Sequence, residues 1–268
     1  MLIHACPTPT PSTRRASAPP SCAETLATLR QELASVRPAN CPALPFDLPE
    51  IDGQLADAGL DSSGLHEVAA ATASLNDDAA ATLFLAGVAG RFATHPNSTM
   101  LWAVTAFDLY APGLEQVGLN PGKVLYGQGR KDAEVLAMAE DALRDGSLAC
   151  VVAEVKAADM TATRRLQLAA SDGQTPMLLY RRHRSREGCP LRTPSSAMTR
   201  WRIGCLASER LPWPGVGRAR WQVELVRQRN GNPFTLELEA CDAEGRLALP
   251  ASAADRAAAQ ERAASHAA

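Results

Sequence analysis

The apolar positions of this chain change spacing repeatedly between residues 64 and 249, and the changes mark out its elements. Gly64 to Ala69 and Met177 to Tyr180 read as strands, Met100 to Phe107 and Lys123 to Tyr126 as buried-type strands, and Leu148 to Val155 as a continuous apolar strand of the kind buried on both faces of a parallel sheet. Between them the spacing turns helical: Asp77 to Arg91 is Ala-rich, Asp132 to Arg144 carries acidic residues in its first turn and Gly146 beyond its end, and Thr161 to Ser171 follows. Strand and helix signals alternating over about 120 residues predict an α/β, doubly wound domain with a mostly parallel sheet. Thr199 to Ala207 and the Gly215–Leu249 region predict antiparallel strands at its C-terminal edge.

The last of these regions holds a clear hairpin pattern. Trp221, Val223 and Leu225 alternate with Gln222, Glu224 and Val226, Asn230-Gly231 is a strong turn dipeptide, and Phe234 to Glu239 resumes the alternation. Arg218, Arg220, Arg227 and Arg229 lie on the same unit, so one apolar and one cationic face are expected. Outside the domain, residues 1–20 form a Pro/Ser/Thr tail of disordered composition. Ser21 with Glu24 makes a capping-box pattern, and Leu26, Leu29, Leu33 and Val36 share a helical face as far as Arg37. Pro38, Pro42, Pro45 and Pro49 predict an extended, stiff linker over the rest of 21–49. The domain itself is then expected over 50–249, with an Ala-rich tail over 250–268 and a long, mobile polar loop over His183 to Ser196.

Charge changes this picture more than composition does. The formal net charge is −2, yet Arg164 to Arg229 holds fourteen Arg and no Lys against Asp172, Glu187, Glu209 and Glu224, so this stretch carries +10 and the remainder −12. An acidic front and a basic back suggest a surface for anions. Candidate contacts to a partner or to DNA are Arg181, Arg182, Arg184, Arg186, Arg200, Arg202, Arg218 and Arg220, with Trp201 between two arginines placed to stack on a base. The seven cysteines show no CxxC or His-spaced pattern, which argues against a disulfide framework or zinc site; Cys150 lies in an apolar run and is expected in the core. No stretch approaches the ~20 apolar residues of a membrane span, and the N-terminus lacks the apolar segment of a secretory signal, so a cytoplasmic protein without membrane contact is expected.

Catalytic patterns are thin. The five histidines show no HExxH or paired spacing, and His66 on a strand is expected as a hydrogen-bonded core residue rather than a base. Asp77-Asp78 at a helix start suits the helix dipole better than a reacting carboxylate pair.

Several longer stretches carry a resemblance. Ile51-Asp52, Leu55, Gly59-Leu60 and Gly64-Leu65 are similar to the RecA segment leading into its first core strand, and Asp108 to Ala111 with Gly118-Leu119-Asn120 to the segment after its second. Gly64 to Val68, Thr163 to Ala170, Pro194 to Arg202 and Pro214 to Leu225 resemble the ImuA family most closely, over roughly residues 50–250. The resemblance implies a RecA-like P-loop NTPase-type core. It also implies a role in SOS-induced translesion DNA synthesis with an ImuB-type Y-family polymerase homologue as partner; RecA, single-stranded DNA and self-association are further candidates.

The departures imply a degenerate nucleotide site. A Walker A loop needs glycines, a Lys and a Ser/Thr around phosphate, and the matching stretch here, Ala69 to Thr82 (AAATASLNDDAAAT), has neither Gly nor Lys and places Asp77-Asp78 where phosphate would sit. Where RecA-type enzymes carry a water-orienting Glu, this chain has Val104, Thr105 and Ala106, and Glu154 stands without partners at the end of a Walker B-like strand. A non-catalytic accessory protein without cofactor or metal is therefore expected. The competing expectation is a DNA-dependent ATPase whose phosphates are held from elsewhere, by Arg91 or Arg130.

Overall fold

The computed structural model describes residues 43–184, 188–208, 215 and 217–250. The chain divides into units 1–39 and 40–268; the expected helix over 21–37 and the tail from 251 onward lie outside the described residues.

Eight strands form one sheet: β1 (Leu65–Ala70), β2 (Met100–Val104), β3 (Val124–Gln128), β4 (Val151–Val155), β5 (Met177–Arg181), β6 (Thr199–Leu206), β7 (Arg220–Gln228) and β8 (Phe234–Glu239). Their order is β3-β2-β4-β5-β1-β6-β7-β8. β1 to β6 run parallel and β7 and β8 are antiparallel additions, the latter as the hairpin pattern predicts. Two strand expectations are corrected: Thr199–Leu206, expected with the antiparallel strands, lies parallel to β1 and is antiparallel only to β7, and Val124–Gln128, expected as a buried strand, is the largely exposed edge of the sheet because only β2 pairs with it. The helices are α1 (Pro49–Asp52), α2 (Leu75–Phe92), α3 (Ala111–Gln116), α4 (Asp132–Asp145) and α5 (Met160–Asp172).

Local chemistry sets the helix ends. Ser74 caps α2 by accepting from the Asp77 N–H, and Asp159 caps α5 by accepting from the Ala162 N–H. α4 stops at Gly146, whose φ of 70° is the left-handed conformation a Cβ disfavours. The sheet carries an apolar core on each face. Phe84 and Leu85 of α2 pack with Trp102, Trp201 and Trp221 on one side; Val135 and Leu143 of α4 and Leu166 of α5 cover Leu65, Val151 and Leu179 on the other. The central strands β1, β4 and β5 are buried along their whole length, and the polar residues they carry, His66, Glu67, Glu154 and Arg181, are hydrogen-bonded inside the domain.

Two further expectations are corrected. Residues 43–49 are not a free linker: Leu44 and Leu60 exchange backbone hydrogen bonds of 2.7 and 2.8 Å. Phe46 is buried, its ring 5.7 Å from Trp201 and 6.3 Å from Phe84. Pro45 and Pro49 stiffen a segment that is docked on the core. The polar loop after β5 is also partly packed, since Pro190–Arg192 makes a 3-10 turn and Leu191 and Ser195 are buried.

Candidate functional site at the carboxyl edge of the sheet

In open α/β sheets ligands bind beyond the carboxyl ends of the strands, where successive connections diverge. Here the connection from β1 runs across β5 and β4 to β2, while that from β5 runs the opposite way to β6. The loop after β1 should therefore face a ligand. Only Ala71 to Ser74 separate β1 from α2, beneath an open depression of about 430 Å³ lined by Thr72, Ala73, Ser74 and Leu75.

The inner side of this loop is filled by Asp77. Its Oδ2 accepts from the Thr72 N–H at 3.1 Å and the Thr72 hydroxyl at 2.5 Å, and its Oδ1 accepts from the Cys205 N–H on β6 at 2.7 Å. Three donors that could have met an anion are thus turned onto a buried carboxylate.

Beside it, a second polar cluster joins α2, β2, β4 and β5. The Arg182 guanidinium donates to Glu154 Oε2 at 2.7 Å, Asp78 Oδ2 at 2.7 Å and Asp108 Oδ1 at 3.0 Å, and lies 5.1 Å from the centre of the Tyr180 ring. The Tyr180 hydroxyl donates to Asp78 Oδ1 at 2.5 Å, and Trp102 Nε1 to Glu154 Oε1 at 2.6 Å. Burial raises the Glu154 carboxyl above its usual range, opposed by Arg182. Burial also raises the Tyr180 hydroxyl, with Asp78 adding to it. Burial works against the Arg182 charge, but Glu154 and Asp78 outweigh it and hold the guanidinium above its ordinary value. The cluster is acidic, internally paired and fixed to four elements. Chemically it suits locking the carboxyl edge, and it offers phosphate no free cation.

The arginine candidates scatter. Arg181 and Arg200 are buried and both bind Glu67 in mid-β1, at 2.7 and 2.6 Å; their remaining bonds go to the Ala158 and Thr193 carbonyls. Neither can reach a partner or a phosphate, because each is held inside the domain by a carboxylate that would otherwise be buried unpaired. Trp201 is 1% exposed, among Phe46, Phe84 and Phe234, and cannot stack on a base. Arg202 binds Glu224, and Arg218 binds Glu239 and the carbonyls of Ala240 and Arg246. The Arg220 position faces Glu239 across the hairpin. The hairpin's polar face is therefore mixed in charge, Glu224, Glu237 and Glu239 offsetting its arginines, rather than cationic as expected. Arg184 is exposed; Arg186 lies outside the described residues.

Other groups take structural places. His66 is buried with Nδ1 2.7 Å from the Thr199 hydroxyl and Nε2 2.9 Å from the Asp61 carbonyl, so Nε2 carries the proton and Nδ1 accepts. Burial lowers its pKa. Cys150 is buried and its thiol pushed up by burial, and burial pushes Cys241 up to about 12. Among the described residues no group of His, Cys, Asp and Glu is arranged to hold a metal, and no helix is long and apolar enough to cross a membrane.

The site and fold define an α/β protein with a mostly parallel eight-stranded sheet whose carboxyl edge is cross-linked by side-chain hydrogen bonds and ion pairs. No family model matches the sequence. Protein ImuA of Caulobacter vibrioides (strain NA1000 / CB15N) is 36% identical over 207 residues, covering 75% of this chain and 85% of that protein, and Protein ImuA of strain ATCC 19089 / CIP 103742 / CB 15 matches to the same extent. The chain belongs to the ImuA family. A crystal structure of SulA from Pseudomonas aeruginosa is 24% identical and covers 44% of this chain and 96% of its own, but its TM-score of 0.37 carries no argument.

Proposed function

We propose that this protein is a non-catalytic accessory factor of damage-induced, mutagenic DNA synthesis, in which a RecA-like core with a degenerate nucleotide site serves as a binding platform for an ImuB-type polymerase homologue. Membership of the ImuA family supports the process. The platform reading rests on one observation: the Asp77 carboxylate occupies the inside of the loop where a phosphate-binding protein would present free N–H groups. The mostly parallel sheet with antiparallel C-terminal strands agrees with a RecA-like ancestry. RecA and single-stranded DNA remain secondary candidate partners on this reading, and the cytoplasm, at the nucleoid during damage, is the expected location.

The competing ATPase needs a cation from elsewhere. Arg91 does not suit it, because it closes the last turn of the 18-residue α2 and binds Asp47 at 2.6 Å, roughly 25 Å along the helix from the Ser74 cap. The test is twofold. The full-length chain should capture a purified ImuB-type homologue, and it should neither bind nor hydrolyse millimolar Mg-ATP, with or without single-stranded DNA. Hydrolysis above a buffer control refutes the non-catalytic reading, and failure of capture refutes the platform.

A further inference from the structure

The sheet ends at β3, and the outer edge of β3 is open. The Gly129 N–H donates to the Val104 carbonyl of β2, so by strand alternation residues 125, 127 and 129 point their backbone groups at β2. The N–H and C=O groups of Tyr126 and Gln128 then point away from the sheet, where β3 has no further strand partner and, among the described residues, they form no hydrogen bond. The strand is also apolar where an edge is normally charged: Leu125 is 54% exposed on one side and Tyr126 42% exposed on the other. Tyr126 meets the 52% exposed Phe107 edge to face, with ring centres 6.0 Å apart. Just beyond the strand, Arg130 and Lys131 are exposed and form no ion pair among the described residues. The neighbouring carboxylates are engaged with backbone, Glu134 with the Arg130 N–H and Asp132 with the N–H groups of Lys156 and Ala157.

We infer that the β3 edge is a docking site for an extended, acidic segment of a partner protein. The segment pairs its backbone with Tyr126 and Gln128, lays apolar side chains beside Leu125 and the Phe107–Tyr126 pair, and sets carboxylates against Arg130 and Lys131. A second copy of this chain is the poorer occupant. Antiparallel pairing of two β3 strands centred on Tyr126 would bring Arg130 and Lys131 of each copy beside Lys123 of the other, and like charges oppose it. Nucleic acid is poorer too, since the edge offers two free cations while Asp108 lies close by in sequence to Phe107. The inference rests on the proposed platform role and names where on the platform the partner sits.

The test uses the full-length chain and a fluorescein-labelled twelve-residue peptide of alternating Val and Phe with two Asp at its end, read by fluorescence anisotropy. Gln128→Pro deletes one outward N–H and leaves the bonds to β2 intact, and Arg130→Glu with Lys131→Glu reverses the charge. Each is expected to weaken the peptide at least tenfold with an unchanged melting temperature, and a peptide carrying two Lys in place of the Asp should recover the double-Glu variant. Equal binding by wild type and both variants overturns the inference. So does a wild-type dimer that Gln128→Pro dissolves in sedimentation, or an edge variant that loses oligo-dT rather than peptide. In a parallel capture of the ImuB-type homologue, a wild type and variants that bind equally overturn this site alone, whereas a wild type that captures nothing overturns the platform role itself.

Discussion

If Asp77 closes the loop after β1, replacing it should loosen that corner by a calculable amount. Asp77→Ala removes a carboxylate that accepts three hydrogen bonds, two from Thr72 and one from the Cys205 N–H that ties the loop to β6. Hydrogen bonds to charged groups contribute about 1.5–3 kcal/mol each. Thr72 and Cys205 are exposed, however, so water can replace much of what they lose. The third-residue carboxylate also favours the α2 N-terminus by about 0.3–1 kcal/mol. Together these give a loss of about 3 kcal/mol, a large share of a stability of roughly 5–15 kcal/mol. In a folded body of this size that corresponds to a fall in melting temperature of roughly 6–12 °C. Asp77→Asn keeps one acceptor oxygen and should lose about half as much. Urea unfolding followed by tryptophan fluorescence measures both, with Trp102, Trp201 and Trp221 all in the core. A loss below about 1 kcal/mol for Asp77→Ala would show that the carboxylate merely rests in the loop, and the argument that the site is closed from within would fail with it.

Three further outcomes follow from the same contacts. Glu67→Ala leaves Arg181 and Arg200 buried without their carboxylate and should cost about 3–5 kcal/mol, whereas exchanging all three for Met and Leu should cost far less; equal losses in urea unfolding would contradict this. His66 has a lowered pKa, so the unfolded chain binds the extra proton first: the neutral ring's stabilisation is full above about pH 6.5 and is lost as pH falls below it, by up to about 1.4 kcal/mol per pH unit. A His66→Gln variant should lack that slope between pH 6.5 and 5, and an identical slope in both proteins would assign it elsewhere. For single-stranded DNA, the burial of Arg181 and Arg200 and the pairing of Arg182 and Arg202 predict a log–log salt slope near −2, carried by Arg184, Arg186 and Arg220 at about 0.7 each, and a slope of −4 or steeper would show that the paired arginines are released.

Much of the fold was legible because its signals are local. Asp77-Asp78 at the start of α2 and Gly146 just past the end of α4 are signals carried within one helical turn, and β1, β4 and β5 are buried along their whole length and mostly apolar apart from His66, Glu67, Glu154 and Arg181. α3 was missed because six residues opening on Ala111-Pro112 show no helical period. The docking of residues 43–49 was missed because proline content reports stiffness and says nothing of where a stiff segment lands. The arginine assignments failed for a different reason. Arg181 and Arg200 meet Glu67 across 114 and 133 residues, and no local pattern encodes the adjacency of β5, β1 and β6. One signal was available: a lone Glu in the apolar run Leu65 to Ala70 must be paired if that strand is central, and an Arg at the end of another apolar strand is its natural mate.

The same logic gives the carboxyl edge its sharpest test at Arg182. Glu154, Asp78 and Asp108 converge on this guanidinium, and Glu154 is the buried member, 4% exposed against 20% for the Arg182 side chain. Arg182→Met keeps an unbranched side chain and removes the guanidinium that lies over the Tyr180 ring. Breaking a fully buried pair costs about 3–5 kcal/mol, and the partial exposure of Arg182 reduces this to about 2–3 kcal/mol at neutral pH. The pH dependence then has a defined sign. Burial already raises the Glu154 carboxyl and Arg182 is what holds it down, so without the arginine the folded-state value rises further above the unfolded one. A raised acid contributes stability that is full below its unfolded pKa and is lost as pH rises through the folded one. Arg182→Met should therefore recover part of its loss as pH falls from 7 to 5; the falling contribution of His66 is common to both proteins and cancels from the difference. A variant whose deficit stays constant across that window would mean that water, rather than Arg182, keeps Glu154 ionised, and that the edge is held by packing alone.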